Sequence, residues 1–170
     1  EFGAGPIGGP AGWVLDNTDL LRRDMRVLDL ACGRGRHALL FAGAGFRVTA
    51  LDRDANHIAW LSATAARLGW AIEAQVRDLE AGDPGLGEAA WDLVIVTHYL
   101  HRPLMPALVA SIAPAGVLLY ETFTIAQAAR GKPTNPDYLL QPGELPTLVA
   151  PLEVVRSREG EVDGRVVASV

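Results

Sequence analysis

Residues 26–44 hold an apolar run of strand length that breaks at Gly33-Arg-Gly35 and resumes at helical spacing. Residues 26–32 read as a strand buried on both faces, and residues 35–44 as a helix ended by Gly45. The alternation then repeats. A second strand covers 47–51. Asp54 can cap a helix through Leu68, on which Ile58, Leu61, Ala65 and Leu68 share one face, and Gly69 suits its left-handed end. Further strands are expected over 71–76, 91–97 and 117–122, with a helix over 103–112 and a turn at Pro114-Ala-Gly116. Residues 152–157 and 165–170 read as a last strand pair, joined through Asp163-Gly164. Together these predict an α/β fold. It is a doubly wound, Rossmann-like sheet of seven mostly parallel strands, with helices on both faces and a C-terminal antiparallel strand pair. Ligands in such sheets bind beyond the carboxyl ends of the strands, at the switch point.

Composition narrows the class. A chain of 170 residues, 49% hydrophobic, suits one domain that buries roughly 70% of its unfolded surface. Cys32 is the single cysteine, which points to a reducing, cytoplasmic setting. No apolar run reaches membrane-spanning length. The net charge of −5, without a Lys/Arg block, argues against a nucleic-acid partner and for a small molecule. Residues 1–12, rich in Gly and Pro, read as a flexible leader, with Glu1-Phe2 as a cloning remnant. The domain is expected over 13–170, opening with a brief helix-like piece at 13–21.

The chemistry concentrates at strand ends. Gly33 and Gly35 let the backbone turn sharply and approach a ligand. Asp52, with Arg53 beside it, ends the second strand, where a carboxylate accepts from ribose hydroxyls. Asp78 and Leu79 follow the third strand, placed for an adenine amino group and ring face. Each acid alone is an ordinary loop acid or cap. The order of glycine turn, acid and acid at successive strand ends carries the signal. Cys32 lacks a base partner and reads as a small buried residue. His37, His57, His98 and His101 have no metal-binding spacing, so no metal is expected.

The run Asp29-Leu-Ala-Cys-Gly-Arg-Gly35, with Asp52 and Asp78, resembles class I S-adenosylmethionine (SAM)-dependent methyltransferases from about Val27 onward. The resemblance implies SAM as cofactor. It implies that Asp29 and the backbone of Ala31, Cys32 and Gly33 hold the methionine part, and that Thr97 and His98 line the pocket. Tyr99-Leu-His-Arg-Pro103 and the stretch Gly131 to Glu144 resemble tellurite-resistance-type methyltransferases. His101 and Arg102 are expected on the acceptor side. A soft anion needs no strong general base and no base dyad is evident, so a thiol or chalcogen oxyanion is the candidate acceptor, and the resemblance does not fix which. Residues 123–146, long and proline-rich, are expected to form a lid, with Arg130 and Lys132 attracting an anion.

Two other functions compete. Gly33-Arg-Gly-Arg-His-Ala38 also satisfies the Gly-x-Gly-x-x-Ala pattern of an NAD-binding oxidoreductase. A SAM-binding module without catalytic activity is the third reading. The oligomeric state is open.

Overall fold

The computed structural model describes residues 7–170. Seven strands form one sheet in the order β3-β2-β1-β4-β5-β7-β6. They are β1 (Arg26–Leu30), β2 (Arg47–Asp52), β3 (Ile72–Val76), β4 (Trp91–Thr97), β5 (Ile112–Phe123), β6 (Arg158–Val162) and β7 (Arg165–Ser169). The helices are α1 (Gly12–Asp16), α2 (Arg36–Gly43), α3 (Ala55–Leu68), α4 (Met105–Ser111) and α5 (Glu144–Leu148). The first five strands run parallel, whereas β7 is antiparallel to both β5 and β6. No helix among the described residues is long and apolar enough to cross a membrane.

Period-two alternation fills both faces. Val27, Val48, Ala50, Leu93 and Ile95 pack under α1, α2 and α3, through Val14, Phe41 and Leu61. Leu28, Leu30, Val94, Val96 and Tyr120 point the other way, against Met105 and Leu108 of α4 and Leu145 of α5. A sheet buried on both sides reads as unbroken apolar runs, as the central strands do. Asp54 caps α3 by accepting from the amides of Asn56 and His57, and Gly69 ends it at φ 67°. The order reverses between β1 and β4, so a crevice opens above their carboxyl ends.

Four expectations need correction. The strand expected over 152–157 is loop, and β6 begins at Arg158. Asp163 (φ 51°) and Gly164 (φ 76°) make a two-residue turn that pairs Val162 with Arg165, so the hairpin takes the residues immediately before it. Residues 152–157 fall beyond the end of that ladder. The turn expected at 114–116 lies within β5, as an irregular stretch with Ala115 at φ 60° and a register shift opposite Trp91/Leu93. The helix expected over 103–112 is a 3-10 turn, Arg102–Leu104, followed by the shorter α4. The leader is not free at residues 9–12: Gly12 starts α1, and Ala11 is buried. Its residues 1–6 lie outside the described residues.

Gly33 and Gly35 differ in how strictly each needs glycine. Both have positive φ, but a Cβ on Gly35 would meet Leu61 Cδ2 at 2.6 Å, whereas one on Gly33 meets nothing within 4 Å. Leu61 is fully buried, so its side chain would have to shift within the core. Gly33→Ala should therefore cost about 1–2 kcal/mol from backbone strain alone. Gly35→Ala should cost about 2–4 kcal/mol, strain plus overpacking. Urea denaturation of both variants measures the difference. Equal losses would contradict the packing seen around Gly35.

Candidate active site

The glycine turn is built by backbone bonds. Cys32 N donates to Leu51 O at 2.9 Å, and Gly35 N donates to Cys32 O at 2.9 Å. Asp52 then bridges two segments. Its Oδ2 accepts from Gly33 N at 2.7 Å and its Oδ1 from Asp54 N at 2.9 Å. One carboxylate thus fixes the end of β2, the glycine turn and the start of α3. Asp29 works from below. It is 2% exposed, and its Oδ2 accepts from Ala38 N in the first turn of α2 at 2.9 Å. Burial pushes the Asp29 carboxyl up to about 7, against the opposing pull of the Ala38 amide and the Arg36 guanidinium, while Asp52 adds repulsion.

Above the strand ends lies a cleft of about 240 Å³. Ala31, Asp52, Arg53, Asp78, Leu79 and His98 line it, joined by Arg77, Glu80, Tyr99, Leu100, Thr122 and Phe123. Pro133 and Tyr138 of the 123–146 segment complete the lining. Ala31 (φ 54°) and His98 (φ 55°) are both left-handed. Such strain in residues with a side chain persists where surrounding structure enforces it, often at functional sites. The His98 ring stacks on Phe123 with centroids 4.6 Å apart. Partial burial, then repulsion from Arg36 and Arg165, lower the His98 pKa to about 4 against the pull of Glu121. The imidazole is neutral at pH 7. Tyr120 O–H donates to Tyr99 O at 2.7 Å and holds the loop after β4.

His98 also lines a second cavity of about 280 Å³, between the N-terminal segment and the β6–β7 hairpin. Three guanidiniums line this cavity, Arg36, Arg158 and Arg165, against two carboxylates, Glu121 and Asp163. Arg158 Nη2 donates to the buried Glu121 at 3.0 Å, and Ser169 Oγ donates to the same oxygen at 2.6 Å. Arg36 reaches Gly9 O at 3.0 Å and Thr97 Oγ1 at 3.4 Å. Arg165 is exposed and forms no ion pair among the described residues. The residues of this cavity come from distant parts of the chain, so sequence spacing gave no signal of it. Tyr99, Thr122 and Phe123 could have been found as strand-end positions of β4 and β5.

Other expected site residues do not line the cleft. Asp29, Cys32, Gly33, Gly35 and Thr97 lie outside its lining. Asp29 and Gly33 instead serve the turn through the bonds above, and Thr97 accepts from Arg36. Burial, then repulsion from Asp29 and Asp52, raise the Cys32 thiol pKa far above neutrality, which favours the thiol over the thiolate. His101 and Arg102, expected on the acceptor side, line neither the cleft nor the arginine cavity. Arg102 forks onto Glu144 at 2.6 and 2.9 Å and also donates to Asp137 O and Leu139 O. With its donors so used, it ties the 123–146 segment down. Arg130 is neutralised by Glu161 at 2.6 Å. Among the described residues, no three or more His, Cys, Asp and Glu side chains gather as a metal site.

A sheet ordered β3-β2-β1-β4-β5-β7-β6, with a glycine turn after β1 and acids after β2 and β3, defines a Rossmann-like class I methyltransferase fold. The methyltransferase domain family matches residues 27–115, more than half of the chain, and the chain belongs to that family. It is 29% identical over 90 residues to the probable S-adenosyl-L-methionine-dependent methyltransferase TehB of Haemophilus influenzae. That alignment covers 51% of this chain and 30% of TehB. The crystal structure of the same organism's TehB superposes with a TM-score of 0.75 at 22% identity, covering 94% of this chain and 60% of that one. A SAM-dependent methyltransferase from Methanosarcina mazei gives a TM-score of 0.69 at 15% identity, covering 95% and 98%. Coclaurine N-methyltransferase bound to N-methylheliamine and SAH gives 0.57 at 21%, covering 65% and 35%.

The raised Asp29 pKa makes a prediction about stability. In the unfolded chain this carboxyl ionises near 3.8, in the folded protein near 7. Between these values the folded state holds the extra proton, so stability falls as pH rises, and the loss is complete above about 7. Asp29→Asn keeps an acceptor for Ala38 N and removes the titration. Denaturation at pH 4, 5.5 and 7.5 should show the variant gaining on the wild type throughout. Parallel profiles would contradict the buried carboxyl's role.

Proposed function

We propose that this protein transfers the methyl group of SAM to a small anionic acceptor. The observation that carries the reading is one wall shared by two unlike cavities. His98 separates a cleft lined by Asp52 and Asp78 from a cavity lined by Arg36, Arg158 and Arg165.

The residues present fit SAM. A carboxylate has about four acceptor positions. The amides of Gly33 and Asp54 engage one position on each Asp52 oxygen, leaving acceptor capacity for ribose hydroxyls. Asp78 and Leu79 stand at the next strand end for the adenine. Asp29 supports the turn near the methionine part by holding α2, rather than by contact. The cleft of about 240 Å³ lies just below the usual range for ligand pockets. Membership of the methyltransferase domain family sets the oxidoreductase reading aside.

When bound, SAM supplies an electrophilic sulfonium methyl. This chain's part is to hold the acceptor in line, which is the main demand of such a transfer. Arg165, which forms no ion pair among the described residues, attracts the anion, and the neutral His98 forms the wall between that cavity and the cleft. An anionic thiolate or chalcogen oxyanion needs no proton removed, so no base is required. The resemblance of residues 99–103 and 131–144 to tellurite-resistance-type methyltransferases supports the chalcogen oxyanion.

Two variants separate the cavities. Asp52→Ala should weaken SAH binding by more than about tenfold, because it removes charge-assisted bonds. Arg165→Ala should leave SAH affinity intact and raise the KM for selenite, used as probe, about tenfold. Calorimetry and transfer of a labelled methyl read the two effects. Transfer to neutral acceptors only, or an unchanged KM in Arg165→Ala, would defeat the anionic assignment.

A further inference from the structure

The wall of the arginine cavity is partly main chain, since Pro10, Ala11 and Gly12 line it opposite the hairpin. Two side chains from the first turn of α2 hold that segment down. Arg36 Nη1 donates to Gly9 O at 3.0 Å, and Ala11 N donates to His37 Nε2 at 3.0 Å. His37 is 1% exposed, and neither the cofactor cleft nor the transfer chemistry uses it.

The His37 bond bears on more than one amide. Ala11 is the residue from which α1 starts, with no side-chain cap, and its carbonyl accepts from Val14 N and Leu15 N. Its own N–H would be a buried, unpaired donor without His37, which is costly. Helix α1 in turn carries Trp13, whose ring lies 5.0 Å from the Arg158 guanidinium and whose Nε1 donates to Val170 O at 2.9 Å. A chain of contacts thus runs from α2, through Ala11 and Trp13, to an arginine of the second cavity. Helix α2 follows directly on the glycine turn at the other cavity.

Resting on the reading above, we propose that His37 is a positioning residue for the acceptor: its Nε2 latches residues 9–12 as the cavity wall and sets Trp13 under Arg158, coupling that wall to the helix that leaves the cofactor turn. The latch needs the unprotonated ring. Burial first, then repulsion from Arg36 and His98, lowers the His37 pKa to about 3, so the acceptor nitrogen is available throughout the neutral range.

The test compares wild type, His37→Leu and His37→Gln. Leu fills space without an acceptor, while Gln presents an amide oxygen near the position of Nε2. SAH binding, selenite binding to SAH-loaded protein, and hydrogen exchange at the amides of residues 11–15 are measured on each. In His37→Leu, SAH affinity should hold, selenite affinity should fall about tenfold and exchange should quicken about tenfold. His37→Gln should restore both. Selenite affinity and exchange in His37→Leu equal to wild type would overturn the latch, as would failure of His37→Gln to restore either. Wild type that binds SAH but no selenite would overturn the acceptor reading and the positioning role with it, whatever the exchange shows.

Discussion

The bond from Gly33 N to Asp52, at 2.7 Å, is the constraint on which the site depends. A turn between a buried strand and a helix leaves amides that must find partners. Here one partner is a side chain at the end of the neighbouring strand. Asp52 also accepts from Asp54 N, and Asp54 caps α3. The register of β1 against β2 therefore decides whether the turn is satisfied, and a slip of one residue would turn Asp52 to the other face. Fold and site are specified by the same pairing.

A second constraint acts across the switch point. Ala31 after β1 and His98 after β4 both take left-handed backbone, and His98 is further fixed by its stack on Phe123. Left-handed residues turn the chain away from the strand direction and open space above the sheet. Tyr120, fully buried on β5, holds the Tyr99 carbonyl and so keeps the loop after β4 from collapsing into that space. The polar side of the second cavity is balanced in the same way. Glu121 is buried, yet it is shared by Arg158 and Ser169 and leaves no orphaned charge. The charge that remains uncommitted among the cavity's guanidiniums is concentrated at Arg165.

Much of this was legible in the sequence for a physical reason. Strands buried on both faces show as apolar runs, so β1, β2 and β4 were found within a residue or two, and Asp54 and Gly69 marked the ends of α3. Strand β6 was hidden because it is an edge strand, Arg-Glu-Gly-Glu-Val, whose charges look like loop. The more apolar 152–157 stretch drew the assignment instead. The acids at strand ends were legible from order alone. The ion pair of Arg102 was not, because its partner Glu144 lies far along the chain. Convergence of Arg36, Arg158 and Arg165 is likewise a property of the folded chain.

The central claim is that the acid-lined cleft binds the SAM nucleoside. Thermal unfolding with SAH, with NAD and with neither tests it most directly. Ligand at about 100 times its Kd stabilises the folded state by about 2.7 kcal/mol, a rise of roughly 5–10 °C for a domain of this size. The account predicts that rise with SAH and none with NAD. No rise with SAH, or an equal rise with NAD, would contradict it.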